Sequence, residues 1–340
     1  MYVGLDVHRD TSFCVILDQD GEIVAERNLN NDPFEFADFF NGVLGDFDGP
    51  IEAAMEATTD AYFVQVILDD LGIPVRLAHP RKLRLIAESS SMTDARAAFI
   101  LADMLRMGRL PEAYLAPAEV LQSRELTRGR QSLVTSGTRY KNKVSALLRR
   151  HGCRCPVKDK FTKAGRKWMA GLQLPMLSAM MLRIYLKVID MLGEFIAECN
   201  AKLREISDHD ERIQRLQQIP GIAEVFGPMI VAEIGDIDRF WSKTKFVAYC
   251  GLAPSVHQSA KTTHRGSLRQ DCNHWLRFAF VEAAQSCGRH PGPYGDYYQR
   301  KLEERDSKVA KVATARRLCR LVFAMLHSGE DYRADHNQAA

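Results

Sequence analysis

Three carboxylates in this 340-residue sequence stand where divalent-cation chemistry is possible. Asp6 lies inside one apolar run (YVGLDVH, residues 2–8), Glu56 ends another (IEAAME, residues 51–56), and Asp94 opens a helical stretch. Brought to one sheet end, three carboxylates repel one another unless cations sit among them, and hard oxygen ligands suit Mg²⁺, with Mn²⁺ as the second choice. Two such ions clamp a scissile phosphate and stabilise its attacking and leaving oxygens. A single Asp in a strand is ordinarily structural, so it is the coincidence of three that points to a metal centre. A hydroxyl nucleophile is the other chemical candidate. Ser255 and Ser259 follow Gly251-Leu252-Ala253-Pro254, with Lys261, His264, Arg265 and Arg269 near enough in sequence to neutralise phosphate charge. By spacing alone, each serine reads by default as a solvated hydroxyl, and the cations have the plainer reading of a solvated basic loop.

The elements that must position these groups are legible by pattern. Residues 2–8, 12–18 and 22–29 read as a three-strand meander, with turn chemistry at Asp18-Gln19-Asp20-Gly21. A helix at 33–44 follows, with Asp32 as N-cap and Pro33 at its first position. Then come a strand at 51–56, a helix at 60–71 stopped by Gly72, a strand at 73–78, and a helix from Asp94 to Met107 closed by Gly108. The order βββαβαβα is that of an α/β ribonuclease-H-like domain, in which the fourth strand lies beside the first and the last helix crosses the same sheet end. Actin-like sugar kinases also open on a strand such as Gly4-Leu5-Asp6, but they need a glycine-rich phosphate loop where this chain has His8-Arg9-Asp10.

After Pro117 the β signal disappears. Residues 118–150 form a basic helical pattern with Arg124, Arg128, Arg130, Arg139, Lys141, Lys143, Arg149 and Arg150 against Glu119 and Glu125, and a second helical region spans 176–217. A basic, turn-rich connector, 151–175, joins them. Helices this long and narrow pair with each other or with another protomer, so a coiled-coil-like connector and a homo-oligomer are expected. Farther on, Ile219-Pro220-Gly221-Ile222 looks like half of a helix-hairpin-helix that would offer N–H groups to a phosphate, although Ala223 replaces its usual second glycine and a plain tight turn explains it equally. An apolar helix at 224–234 ends at Gly235. Tyr294, Tyr297 and Tyr298 suit base stacking or packing alike. The expected divisions are 1–115, 116–217, a mainly α segment at 218–330, and a tail at 331–340.

Composition narrows the function classes. No run of 18 uncharged apolar residues exists, and Asp6, His8, Arg9 and Asp10 occupy the place of a signal peptide's apolar core, so a cytoplasmic, non-membrane protein is expected. Eight scattered cysteines contain no CxxC pair, only a lone CxC at Cys153 and Cys155, which argues for reduced thiols over disulfides or structural zinc. The net charge of +3 conceals an asymmetry: residues 1–110 hold 19 acidic and 9 basic side chains, leaving 24 acidic and 37 basic ones beyond. Acids to hold cations and bases to hold phosphates are what a metal-dependent enzyme on a polyanion needs.

A set of motifs then occurs in characteristic order: GLDVHRD (4–10), AMEAT (54–58), MTDARAAFILADMLRMGRLPEAYL (from 92), LLRRHGCRCPVKDKF (from 147), IPGIAEVFGPMIVAEIGDIDRF (from 219) and YCGLAPSVHQSAKTTHRG (from 249). Through them the chain, over residues 1–328, resembles the DEDD transposases of the insertion-sequence one-ten family, recombinases guided by a bridge RNA. The resemblance implies a RuvC-like domain whose acids bind Mg²⁺, a dimerising helical connector, and a C-terminal domain with a nucleophilic serine, which the motif assigns to Ser259. Asp6, Glu56 and Asp94 match the first three acids. The fourth, one helical turn after the third, is Ala97, and Met92 replaces the lysine usual two residues before Asp94.

Alanine coordinates nothing, Asp103 falls on the opposite helical face, and Glu88 lies outside the helix, so impaired cleavage is expected. The implied partners are double-stranded donor and target DNA, a structured guide RNA and further copies of the chain as dimer or tetramer. Arg124, Arg128, Arg130, Arg139, Lys141, Lys143, Gly221, Lys261, Arg265 and Arg269 are the candidate nucleic-acid contacts. A phosphoserine would conserve bond energy for rejoining, with acids and serine expected to form a composite site. The alternatives are a RuvC-like metal-dependent nuclease, whose acids activate water, and an inactivated nucleic-acid-binding protein.

Overall fold

The computed structural model describes residues 1–45, 47–86, 93–259 and 262–333, and at 256–259 and 262–265 the backbone alone. It divides into two compact units, Met1–Ala116 and Pro117–Ala340.

The first unit is a six-stranded mixed sheet. β1 (Tyr2–Val7), β2 (Thr11–Leu17) and β3 (Ile23–Asn30) form the expected antiparallel meander. Its second turn is fixed by Asp18, whose Oδ1 accepts from the backbone N–H groups of Asp20, Gly21 and Glu22, each at 2.9 Å. Helix α1 (Pro33–Leu44) starts at Asp32, whose side chain accepts from the N–H groups of Phe34 and Glu35. Next come β4 (Glu52–Glu56), α2 (Ala61–Asp70), β5 (Val75–Ala78), α3 (Pro80–Ile86), α4 (Asp94–Arg106) and β6 (Glu112–Ala113). The strand order is β3-β2-β1-β4-β5-β6, with β1 parallel to β4 and β4 parallel to β5. The short α3 and the two-residue β6 had no pattern in the sequence to announce them.

Alternation along β1 separates two layers. Val3, Leu5 and Val7 join Phe36 and Phe40 of α1 and Val64 and Leu68 of α2 in the larger core of this unit. The other face carries Tyr2, Gly4 and Asp6, and α4 lies directly on it. A Cβ at Gly4 would stand 1.9 Å from the carbonyl oxygen of Ala98 and 2.6 Å from the amide nitrogen of Ala102. Glycine in the strand and alanines in the helix thus set how closely α4 approaches β1, and with it where Asp94 begins.

The second unit is mainly helical. α5 (Ala118–Arg150), α6 (Lys163–Ala170) and α7 (Met176–Asp208) are followed by α8 (Glu211–Gln217), α9 (Phe226–Ile234) and α10 (Lys243–Tyr249). Strands β7 (Pro254–Ser259) and β8 (Thr262–Leu268) form an antiparallel hairpin, and α11 (His274–Cys287), α12 (Pro293–Glu304) and α13 (Ser307–Ser328) complete the unit. α5 and α7 run antiparallel, with Arg130 bonded to Asn200 at 3.0 Å and Val144 and Leu148 packed with Leu182 and Ile189. A separate core gathers Ile213, Ile230, Phe246, Phe280 and Val322 from five helices. One expectation needs correction: the 151–175 connector, read as turn-rich, contains α6. The 176–217 helical region consists of α7 and α8, with Asp210 capping the second, and the mainly α segment after it also carries the β7–β8 hairpin. Among the described residues, no helix is long and apolar enough to cross a membrane.

Candidate functional site

The parallel register of β1 with β4 runs from Tyr2 opposite Glu52 to Leu5 opposite Met55, so Asp6 and Glu56 come next at the same sheet end. Asp94 is the first residue of α4, whose N-cap Thr93 accepts from the Arg96 N–H through Oγ1 at 3.3 Å. A carboxylate at that position also faces the positive end of the helix. The three sequence-predicted acids therefore come from three elements at one sheet end.

A residue that the sequence reading passed over joins them. His8, just past β1, places Nε2 3.7 Å from Asp6 Oδ2 and 3.3 Å from Asp94 Oδ2. One ligand atom from each of Asp6, His8 and Asp94 lies within 4.8 Å of the other two. Glu56 stands outside that set, yet its charge is felt at Asp6. Burial pushes the Asp6 carboxyl above its ordinary pKa; His8 opposes the rise, and Asp94 and Glu56 add to it. Period-two alternation was the available signal, because residues 6 and 8 share one side of an extended chain. Such a donor set fits a divalent cation by its chemistry: convergent oxygens that repel one another until a positive charge is shared among them.

Ala97 sits one turn into α4 and offers no ligand atom. Asp103 is committed elsewhere, accepting from Arg106 Nε at 3.0 Å and Nη2 at 2.7 Å, while Arg106 Nη1 donates to the Gln19 carbonyl in the β2–β3 turn. Glu88 and Met92 lie outside the described residues.

In the second unit, Ser259 ends β7 opposite Thr262 at the tip of the hairpin, a strand position where the sequence suggested a loop. Lys261 lies outside the described residues, and Arg265 pairs with Val256 through the backbone register. Arg269 follows β8 and is exposed, its N–H donating to the Ala253 carbonyl at 3.4 Å.

The basic residues of α5 divide into two groups. Arg128 forms a bidentate pair with the fully buried carboxylate of Glu233 at 2.6 and 2.8 Å, and Arg124 donates to the carbonyls of Ala232 and Glu233. Arg130 is held by Asn200. Arg139, Lys141 and Lys143 are exposed, with Lys141 over the Phe161 ring and Lys143 over Tyr140 and Tyr185. Gly221, at φ +92°, is seated against α11: a Cβ there would lie 2.4 Å from the Ala283 carbonyl oxygen. Close packing accounts for that turn without a ligand. Tyr294 and Tyr298 are likewise buried.

Comparison with known proteins finds matches in both units. Residues 3–152 match a family described as transposase, and residues 213–299 match the transposase IS116/IS110/IS902 family. A probable family 20 transposase of Pseudomonas aeruginosa is 26% identical over 341 residues, covering 97% of this chain and 98% of that protein. The transposase for insertion sequence element IS1111A of Coxiella burnetii is 22% identical across 97% of this chain and 91% of its own length. The transposase for insertion sequence element IS1328 of Yersinia enterocolitica is 26% identical across 82% and 85%. With acids at one sheet end of the first unit, a serine-tipped hairpin in the second, and both units matched in order, the chain belongs to the IS110 family of DEDD transposases, DNA-processing enzymes of insertion sequences.

Proposed function

We propose that the chain cuts and rejoins double-stranded DNA, donor and target, through a phosphoserine on Ser259, with Mg²⁺ or Mn²⁺ held by Asp6, Glu56 and Asp94. The observation that carries this reading is the meeting of Asp6 and Asp94 at the sheet end where β4 delivers Glu56. When bound, the cation supplies charge to polarise the scissile phosphate.

The chain's own residues do the rest. The Ser259 oxygen bonds to phosphorus as the bond from phosphorus to the 3′ oxygen breaks, and that oxygen leaves with a proton as a 3′-hydroxyl. Reversal with a different 3′-hydroxyl rejoins the strand and frees the serine, which water as nucleophile would not allow. Exposed Arg139, Lys141, Lys143 and Arg269, with Lys261 and Arg265, are assigned to phosphate contacts. Guidance by a structured RNA and assembly as a homo-oligomer complete the reading. The first is supported by the family resemblance. The second is supported by an exposed apolar stripe on α7, where Leu177, Ile184, Met191 and Phe195 face solvent.

The test incubates the protein with donor and target DNA and resolves covalent protein–DNA adducts on a denaturing gel. Ser259→Ala is expected to abolish the adduct while leaving DNA binding intact; an adduct persisting in that variant removes Ser259 from its role. Hydrolysis without rejoining would favour a metal-dependent nuclease. Ala97 favours a third outcome, salt-sensitive binding with no turnover in either cation. Sequencing the nucleic acid that copurifies with the protein tests the guide RNA.

A further inference from the structure

We propose that His8 is a cation ligand of the carboxylate centre, replacing the acid that position 97 lacks, and that the resulting nitrogen-containing donor set favours Mn²⁺ over Mg²⁺. The inference rests on the metal-dependent reading of Asp6 and Asp94 given above.

The first argument is geometric. Ligands in cis positions around an ion with bonds of about 2.1 Å are about 3 Å apart. His8 Nε2 already lies 3.3 Å from Asp94 Oδ2 and 3.7 Å from Asp6 Oδ2, so an inward shift of less than about 1 Å brings the nitrogen to cis spacing from both oxygens. All three donors belong to the first unit.

The second argument concerns how the ring is held. The turn between β1 and β2 is fixed by its backbone and by Asn31. Asn31 Nδ2 donates to the carbonyls of His8 at 2.9 Å and Arg9 at 3.2 Å, and its Oδ1 accepts from the buried Ser12 hydroxyl at 2.6 Å. The His8 N–H donates to the Thr11 carbonyl and the Asn31 N–H to the Asp10 carbonyl, both at 2.9 Å. These bonds place the residue without using its imidazole, which is left half-exposed and directed at two carboxylates.

Ligand chemistry sets the preference. Mg²⁺ keeps to oxygen and water, whereas Mn²⁺, a first-row transition ion, accepts an imidazole nitrogen more readily. The competing role for His8 is that of an imidazolium paired with the two acids. The two roles predict opposite signs: losing a ligand weakens cation binding, while losing a competing positive charge strengthens it.

The experiment titrates the full chain with MnCl₂ and with MgCl₂, at a pH where free imidazole is neutral, and records electron spin echo modulation of bound Mn²⁺. Wild-type protein is expected to show nitrogen modulation that changes when histidine is labelled with ¹⁵N. His8→Ala is expected to lose that modulation and to bind Mn²⁺ at least ~10-fold more weakly, with Mg²⁺ binding changed far less. Adding Ala97→Asp to that variant should tighten Mg²⁺ binding beyond that of the wild type without bringing the nitrogen modulation back. Mn²⁺ bound without nitrogen modulation, or bound more tightly by His8→Ala, overturns the assignment of His8 and leaves the carboxylate centre standing. Mn²⁺ binding unaffected by both Asp6→Asn and Asp94→Asn overturns the centre and the ligand together. The wild-type spectrum decides the matter even where a variant fails to fold.

Discussion

Asp6 carries an electrostatic cost that a cation would relieve. Its carboxyl is raised above the ordinary value by burial, with Asp94 and Glu56 adding to the rise. A carboxyl whose pKa is higher in the folded than in the unfolded chain contributes stability that is full below the unfolded value and lost as pH climbs through the folded one. At neutral pH the ionised side chain therefore weighs against folding. Asp6→Asn should raise the melting temperature of the cation-free protein at neutral pH, an advantage that disappears in acid. Added Mn²⁺ should raise the melting temperature of the wild type only. Thermal melts with chelator and with cation check both, and parallel responses of the two proteins would show that Asp6 holds no ion. Ala97→Asp should tighten Mg²⁺ binding by at least about 10-fold, the lower end of what even an outer-shell partner contributes at a metal site, and should raise cleavage; equal cleavage would show the fourth acid dispensable. The acids were legible because a strand interior and a helix start are local patterns. His8 was legible only in part: alternation sets it on the side of Asp6, but its relation to Asp94 exists only once α4 arrives opposite it.

Between β1 and α4, function depends on the absence of side chains. Gly4→Val places a branched side chain where the Ala98 carbonyl stands, so α4 must lift from the sheet and take Asp94 with it. A loss of about 3 kcal/mol of stability and of stoichiometric Mn²⁺ binding is expected, measured by denaturant unfolding and by calorimetry. Normal binding would mean that the helix can shift without disturbing the centre. In the second unit, the buried Glu233 accepts from Arg128 and from Asn273, the residue that caps α11, and so links α5, α9 and α11. Glu233→Ala should cost about 3–5 kcal/mol by urea unfolding, well beyond an exposed ion pair. The sequence could not assign Arg124 and Arg128 to this network, because Glu233 lies more than a hundred residues away and a basic helix looks the same whether its cations face phosphate or protein. The β7–β8 hairpin escaped detection for a related reason: PSVHQS and TTHRGSL show no apolar alternation, and their pairing supplies what their composition does not.

For the molecule as a whole, α7 reads as a helix with two apolar sides. Leu182, Ile189 and Leu192 are buried, and Leu182 and Ile189 pack in the core that α5 shares. On a different side, Leu177, Met181, Ile184, Val188, Met191 and Phe195 recur at alternating steps of four and three residues, the spacing of a coiled-coil seam. Four of the six, Leu177, Ile184, Met191 and Phe195, are between 43% and 64% exposed. A pair of helices already satisfied by one another has no need of that second seam, and a repeat held over nearly three heptads is a specific pattern rather than scattered surface carbon. A second copy of the same seam would supply the complementary surface, since an apolar stripe of this spacing is self-complementary about a two-fold axis. Ile184→Asp combined with Met191→Asp puts like charges in the middle of the seam, facing away from the core around Leu182 and Ile189. The double variant should keep its melting temperature yet halve its mass in light scattering. An unchanged mass, or a wild type that is already monomeric, would assign these side chains to another role.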